Sequence, residues 1–220
     1  MFPSIQFARA STRESVRAVS VAELLERSAG LVLLLASLPI LFTAALAVAA
    51  LSRRSPLVAH LRVGKNNTPF WMLKLRSMWN SERPEKASLG WIEFIDATPS
   101  GDSKDPRDPR VTSRLAAVLR RHSIDELPQL WHVFRGEMSF VGPRPLTRSE
   151  LVRHYGVHSG ELLSVKPGLT GLWQTSGRST VPFPKRAEMD LELVRGLTWT
   201  LYLLILLRTC SALVRGQGAW

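Results

Sequence analysis

Apolar residues are unevenly distributed along this chain. The longest run, Ser28–Ser52 (SAGLVLLLASLPILFTAALAVAALS), has 25 residues and no charge. That length is enough to cross a bilayer as a helix. Arg27 precedes it and Arg53 and Arg54 follow it, so the flanking charge sets no orientation. Pro39 falls at its centre, where a missing backbone N–H kinks a helix, and Ser37 can bond back to a freed carbonyl. Two solutions fit these residues. One is a spanning helix that tolerates the proline. The other is a re-entrant segment that bends at Pro39 and returns to the same face. Ahead of the run, residues 1–27 are polar and mixed in charge, with Val21–Arg27 predicted as a short helix leading in. No cleavable leader is evident, because the apolar run starts too late.

Beyond residue 53 the apolar period changes. Leu57–Val63 and Phe70–Met78, separated by the turn-rich GKNNTP, read as a β-hairpin. Period two places Trp71, Leu73 and Leu75 on one face and Met72, Lys74 and Arg76 on the other. Two cations on one strand face suit a phosphate, although a solvated face has the same pattern. Asn80–Arg110 is polar and proline-rich, which predicts a long surface loop with a short helix near Leu89–Ile95. Val111–Arg121 reads as a helix. Leu127, Leu130, Trp131 and Phe134 recur at i, i+3, i+4 and i+7, a core-facing helical stripe. Arg148–Tyr155 and Pro182–Arg195 also read as helices. Lys166–Arg178 (KPGLTGLWQTSGR) is glycine-rich and reads as loop with brief extended pieces. Gly196–Leu207 is apolar but too short to span. With Trp199, Tyr202 and Arg208 it suits a helix lying in a membrane interface, or an ordinary core helix. No internal repeat is found.

Composition narrows the class. A chain of 220 residues, 45% of them hydrophobic, supports one good core and little more. The formal net charge of +11 predicts an anionic partner: nucleic acid, lipid head groups or a phosphorylated substrate. The single Cys210 excludes an intramolecular disulfide and any multi-cysteine metal site. His60, His122, His132, His154 and His158 form no metal-ligand pattern and read mostly as surface or half-buried structural residues. Glycine-rich dinucleotide and P-loop fingerprints are missing, as are the nucleophile elbow and any recognised nucleic-acid motif.

Chemistry concentrates in Ser123–Leu146, SIDELPQLWHVFRGEMSFVGPRPL. Ser123-Ile-Asp-Glu126 fits a capping box, which would make Asp125 and Glu126 structural. Pro128 complicates that cap, because it cannot donate into the first turn, so the helix is expected to begin at or near Pro128 with the acids just before it. The same residues also suit phosphate chemistry. A helix start attracts phosphate, and Arg120, Arg121 and Arg144 can bind its oxygens in bidentate fashion. A carboxylate is a competent nucleophile once the electrophile is neutralised, and Mg²⁺ needs only one or two carboxylates plus phosphate oxygens. Adjacent acids can divide the labour, one attacking and one binding metal.

These residues resemble the bacterial sugar transferases of the small monotopic phosphoglycosyl transferase type. The resemblance covers roughly Ser28–Arg208. It is carried by Arg62–Met78, Asp108–Thr112, Leu119–Pro145, Lys166–Arg178 and Asp190. It implies transfer of a sugar-1-phosphate from a UDP-sugar to undecaprenyl phosphate, with release of UMP, by a ping-pong route. It makes Asp125 the nucleophile, Glu126 its dyad partner and both the site of Mg²⁺. By the same resemblance Arg120 and Arg144 bind phosphate, and Lys74, Arg76, Lys166, Thr170, Gln174, Arg178 and Asp190 contribute to substrate binding. It favours the re-entrant solution for residues 28–52. It also implies a bacterial inner membrane location with the catalytic domain on the cytoplasmic face. Departures from the family pattern include Leu38 before Pro39, where serine is usual, Asn67 for a glycine, Leu75 between Lys74 and Arg76, His132 within LWHV, and Leu193. Asn67 can still adopt a left-handed turn.

The expectation is therefore an α+β, mostly helical, membrane-associated protein. It would comprise a polar segment (1–27), a re-entrant kinked membrane helix (28–52) and a catalytic domain (53–220) with a small β-hairpin and interfacial helices. The expected partners are a UDP-sugar, undecaprenyl phosphate and membrane lipid, with no nucleic acid; a homodimer is kept as an expectation. Two rival readings fit the same residues. One is a metal-assisted phosphodiesterase that uses water as acceptor. The other is a non-enzymatic membrane-anchored module that binds anions through its +11 charge.

Overall fold

The computed structural model describes residues 6–79, 90–96, 113–177 and 181–215, with side chains from Val21 to Leu213. It begins with α1 (Gln6–Ser52), followed by β1 (Leu57–Val63), β2 (Pro69–Leu75), β3 (Ile92–Ile95) and α2 (Arg114–Arg121). A 3₁₀ turn (Ile124–Gln129) carries the two acids into α3 (Leu130–Arg135). Then come β4 (Ser139–Val141), α4 (Arg148–Tyr155), α5 (Ser159–Leu162), β5 (Gly168–Thr170), α6 (Leu172–Ser176), α7 (Phe183–Gly196) and α8 (Trp199–Arg215).

The polar and apolar N-terminal segments form one helix from Gln6 onward, and it does not reverse at Pro39. The proline deprives the Leu35 carbonyl of its usual donor. Ser37 does not replace that donor; its hydroxyl gives its proton to the Leu34 carbonyl at 2.8 Å. Packing holds the helix against the rest of the chain on both sides of Pro39. Positions three, four or seven apart, Glu23, Glu26, Gly30, Ser37, Ala44 and Val48, lie on the side that meets the rest of the chain. A Cβ at Gly30 would come within 3.0 Å of Val133 Cγ1 on α3. Ala44, Ala45 and Val48 share a core with Leu75, Trp79, Ala116 and Leu119. On the other side Val32, Leu35, Leu38, Ile40 and Phe42 are exposed.

The hairpin forms as expected, with Leu57 opposite Leu75 and Val63 opposite Pro69. Asn66 and Asn67 both take positive φ, 54° and 62°, as the replaced glycine would. The expected helix near Leu89–Ile95 is instead β3, pairing parallel to β1 from Leu57–Ile92 to His60–Ile95. Leu89 lies outside the described residues. Ile92-Glu-Phe-Ile95 is β-branched and aromatic, and it finds the open edge of β1; tertiary pairing decides between helix and strand for so short a run.

Two further expectations are corrected in part. Within Lys166–Arg178 the brief extended piece forms, with Gly168–Thr170 pairing parallel to β4, but Leu172–Ser176 makes a helical turn instead of loop. In α3 the buried residues are Leu130, His132 and Val133, whereas Trp131 is exposed. Of the expected stripe, Leu130 is buried and Leu127 and Phe134 are half-buried; Trp131 turns out because the α-helix starts only at Leu130 and the polar His132 takes a buried position. His132 Nε2 accepts the Leu73 amide at 3.0 Å and Nδ1 meets Glu137 at 2.6 Å. The strand amide is thereby satisfied by a side chain.

Substituting Gly30→Leu should separate α1 from α3 and destabilise the protein by about 1–3 kcal/mol. Thermal unfolding in detergent checks this, with Gly160→Leu as the control, since a Cβ there meets nothing within 4 Å.

Candidate active site

The acids sit where α2, β2 and α3 converge. Ser123 does not cap them. It is left-handed, with φ 54°, and makes no side-chain cap. The capping-box reading therefore fails, because Pro128 keeps the segment in a tight 3₁₀ turn and delays the α-helix to Leu130. Asp125 and Glu126 are both half-buried on that turn. Ser77, just past β2, donates its hydroxyl to Asp125 Oδ2 at 3.0 Å. Lys74 on β2 donates to Glu126 Oε1 at 2.7 Å. Each acid thus has its own cationic or hydroxyl partner from the end of β2 or just beyond it, and Arg120 is buried in the last turn of α2 before them. Ser77 is a residue the sequence reading missed. Its signal was its place three residues after Lys74, with the strand ending between them.

Arg76, expected at phosphate, is instead committed to the sheet. It donates to Glu93 of β3 and, through Nε, to the Ser55 carbonyl at 2.8 Å.

The other expected residues gather around β4 and β5. Here the glycines have a steric reason. A Cβ on Gly168 would lie 2.1 Å from the Gly142 amide nitrogen, and one on Gly142 would lie 2.6 Å from the Lys166 carbonyl. The two backbones cross at this point, with Gly142 N bonded to Thr170 O and Gly168 N to Pro143 O. That crossing fixes the Gly142–Pro145 loop, and the Arg144 guanidinium stands 5.8 Å from the Trp173 ring. Arg186, which the sequence reading did not single out, stacks on the same ring at 4.8 Å. Lys166 is ion-paired to Glu23 of α1 at 2.5 Å. Thr170 shares a hydroxyl contact of 2.8 Å with Thr209 of α8. Gln174 is half-buried on α6. Arg178 lies outside the described residues.

Asp190 is only 1% exposed, so it supports the loop from behind. Its Oδ2 accepts the Tyr155 hydroxyl at 2.8 Å, and the Arg144 backbone also donates to it. Burial raises its pKa to about 7 against those hydrogen bonds and the Arg144 charge, which lower it. The same carboxylate and burial push the Tyr155 hydroxyl far above its ordinary value.

No three His, Cys, Asp or Glu side chains among the described residues form a metal-holding group. Mg²⁺ does not require one, since it is bound by one or two carboxylates plus substrate phosphates and water. The donor set of Asp125 and Glu126 fits that requirement.

Comparison with known proteins gives a consistent picture. The sequence profile described as bacterial sugar transferase matches residues 17–216. A UDP-galactose-lipid carrier transferase of Erwinia amylovora is 40% identical over 169 residues, 76% of this chain and 35% of that one. An undecaprenyl-phosphate galactose phosphotransferase of Salmonella typhimurium is 40% identical over 73% of this chain and 34% of its own length. The exopolysaccharide production protein ExoY of Rhizobium meliloti is 40% identical over 73% of this chain and 71% of its own. The chain spans about a third of the length of the first two relatives.

Because the folded-state pKa of Asp190 is raised, folding holds its proton more tightly than the unfolded chain does. This contribution to stability is greatest below the unfolded value and is lost as pH rises toward 7. Between about pH 5 and pH 8, the thermal midpoint of the wild type should fall relative to that of Asp190→Asn, which cannot titrate. Parallel pH curves for the two proteins would show that Asp190 does not titrate in this range.

Proposed function

Since the chain belongs to the bacterial sugar transferase family, we propose that it transfers a sugar-1-phosphate from a UDP-sugar to undecaprenyl phosphate. The carrying observation is the pair of adjacent acids, each held from one end of the hairpin, with Asp125 on Ser77 and Glu126 on Lys74. Relatives named as undecaprenyl-phosphate phosphotransferases support the lipid acceptor.

The reaction is read as two displacements at one phosphorus. A carboxylate oxygen of Asp125 attacks the sugar-bearing phosphorus of the donor. The pyrophosphate P–O bond breaks and UMP leaves, so Asp125 carries the sugar phosphate as an acyl phosphate. A phosphate oxygen of undecaprenyl phosphate then attacks the same phosphorus and expels the Asp125 carboxylate. The product is a polyprenyl diphosphate sugar. The Ser77 hydroxyl holds Asp125 through Oδ2, which orients the carboxylate for attack. The Lys74 ammonium pairs with Glu126 beside it. Arg120 and Arg144 supply fixed positive charge for the phosphates. Mg²⁺ held by Asp125 and Glu126 would neutralise charge on the phosphoryl oxygens.

The substrates also explain a membrane location. One is a lipid phosphate confined to the bilayer, and the other is soluble. The exposed apolar sides of α1 and α8, including Trp199, Leu203 and Leu207, support contact with lipid, and basic surface charge favours an anionic leaflet. Gly30 and Val48 are both packed on the catalytic domain. Their separation along a helix is about 27 Å, close to the thickness of a hydrocarbon core. A spanning helix would place one of them across the bilayer from that domain. We therefore read α1 as lying on one side, on the cytoplasmic face where the nucleotide sugar is available.

Asp125→Asn should lower turnover with Mg²⁺ by at least about 10³-fold. Mass spectrometry after addition of donor alone should find a sugar phosphate on the Asp125 peptide; its repeated absence from competent enzyme would favour direct transfer. A panel of UDP-sugars scored for UMP release identifies the donor. Release at full rate without polyprenyl phosphate would mark a phosphodiesterase instead. For topology, cysteines placed before residue 28 and after residue 53 should label from the same side, and labelling from opposite sides would establish a spanning helix.

A further inference from the structure

Glu26 lies on α1 two residues before the charge-free run, at the point where three separate elements meet. Its Oε1 accepts the Ser139 hydroxyl and the Phe140 amide of β4, the latter at 2.7 Å. It also accepts the Tyr202 hydroxyl of α8, 176 positions further along the chain. Burial and the facing carboxylate raise the Tyr202 pKa well above its ordinary value, so the phenol remains a donor throughout the physiological range.

The other polar ties of this part of α1 go elsewhere. Glu23 pairs with Lys166 before β5, and Arg27 Nε donates to the Phe134 carbonyl of α3 at 2.9 Å. Among the described hydrogen bonds, the Glu26–Tyr202 pair is the one that joins α1 to α8. Both helices expose several large apolar residues, Val32, Leu35 and Phe42 on α1 and Trp199, Leu203 and Leu207 on α8. Further along the same side of α8, Thr170–Thr209 ties it to β5, and Leu213 O meets His122 Nδ1 at 3.1 Å, three residues before Asp125. α8 therefore bridges the polar start of α1 and the approach to the acids.

We propose that Glu26 and Tyr202 are positioning residues for the lipid acceptor: the hydrogen bond between them sets α8 relative to α1, and so sets how a membrane-bound polyprenyl phosphate reaches the acidic turn. The inference rests on the two-step transfer reading above. A soluble nucleotide sugar needs no fixed spacing between two lipid-facing helices. An acceptor embedded in the bilayer does, because its phosphate must arrive at the acids while its chain stays in lipid.

The test separates the two half-reactions. Tyr202→Phe removes the tie to α8, keeps the ring, and leaves both β4 bonds to Glu26 intact. Full-length enzyme in nanodiscs is mixed with donor alone, and the single-turnover burst of UMP is measured. Steady-state kinetics with undecaprenyl phosphate follow. The burst should be unchanged, while kcat/KM for the acceptor should fall about tenfold, as expected for loss of a hydrogen bond to a charged group. Glu26→Gln, which keeps the shape and weakens the acceptor, should fall in the same direction by less. The double variant should lose no more than the larger single loss, because both residues act through one bond. Unchanged acceptor kinetics in Tyr202→Phe, or an equal loss in both half-reactions, overturns the proposal. If the wild type gives no donor-only burst but turns over with both substrates, the two-step reading fails first. In that case the KM for acceptor against the KM for donor still tests the positioning role, which would be overturned if the two change together.

Discussion

The approach of Gly30 to Val133 governs the placement of the rest of the molecule. α1 and α3 come so close there that a side chain on Gly30 would press on Val133 and on the Phe134 backbone. Because α3 continues directly from the acidic turn, fixing α1 on α3 also fixes α1 relative to Asp125 and Glu126. Burial of Ala44, Ala45 and Val48 with Leu75 and Ala116 holds the far end of the same helix. An apolar helix that could have stood apart from the domain is instead one of its walls, and its outer side stays exposed.

The part of the chain that carries the acids divides its charged groups between two uses. Arg76 with Glu93, and Arg62 with Glu150 at 3.1 Å, tie strands and helices together and are largely buried. Lys74 and Ser77 are given to the acids. The Arg144 region lies between these cases. Its backbone is locked by the Gly142–Gly168 crossing and by Asp190, whereas its guanidinium is left against Trp173 beside Arg186. A rigid backbone with a cation at its tip suits a group that must meet phosphate without reorganising.

Much of the fold was legible in the residues. The hairpin, α4 and the helix Phe183–Gly196 follow from local period and turn chemistry, which depend on neighbours within a few positions. Thr147 and Glu150 even make the capping box that Ser123 and Glu126 only imitate. The difference is Pro128, which forbids the first full turn after Ser123. β3 and the buried His132 were not legible, because each depends on a partner far along the chain: the open edge of β1 for one, the Leu73 amide for the other.

By itself the sequence determined the long charge-free helix, the adjacent acids, the arginines around them and the family pattern, since these are matters of residue type and spacing. Only the tertiary structure decided that α1 continues through Pro39 and lies along the domain, that Lys74 and Ser77 rather than Arg76 reach the acids, and that Asp190 works from behind the Arg144 loop. It also decided that Glu26 would join α1 to a helix near the other end of the chain. Hydrogen bonds and steric contacts between distant segments settle such questions, and no local pattern encodes them.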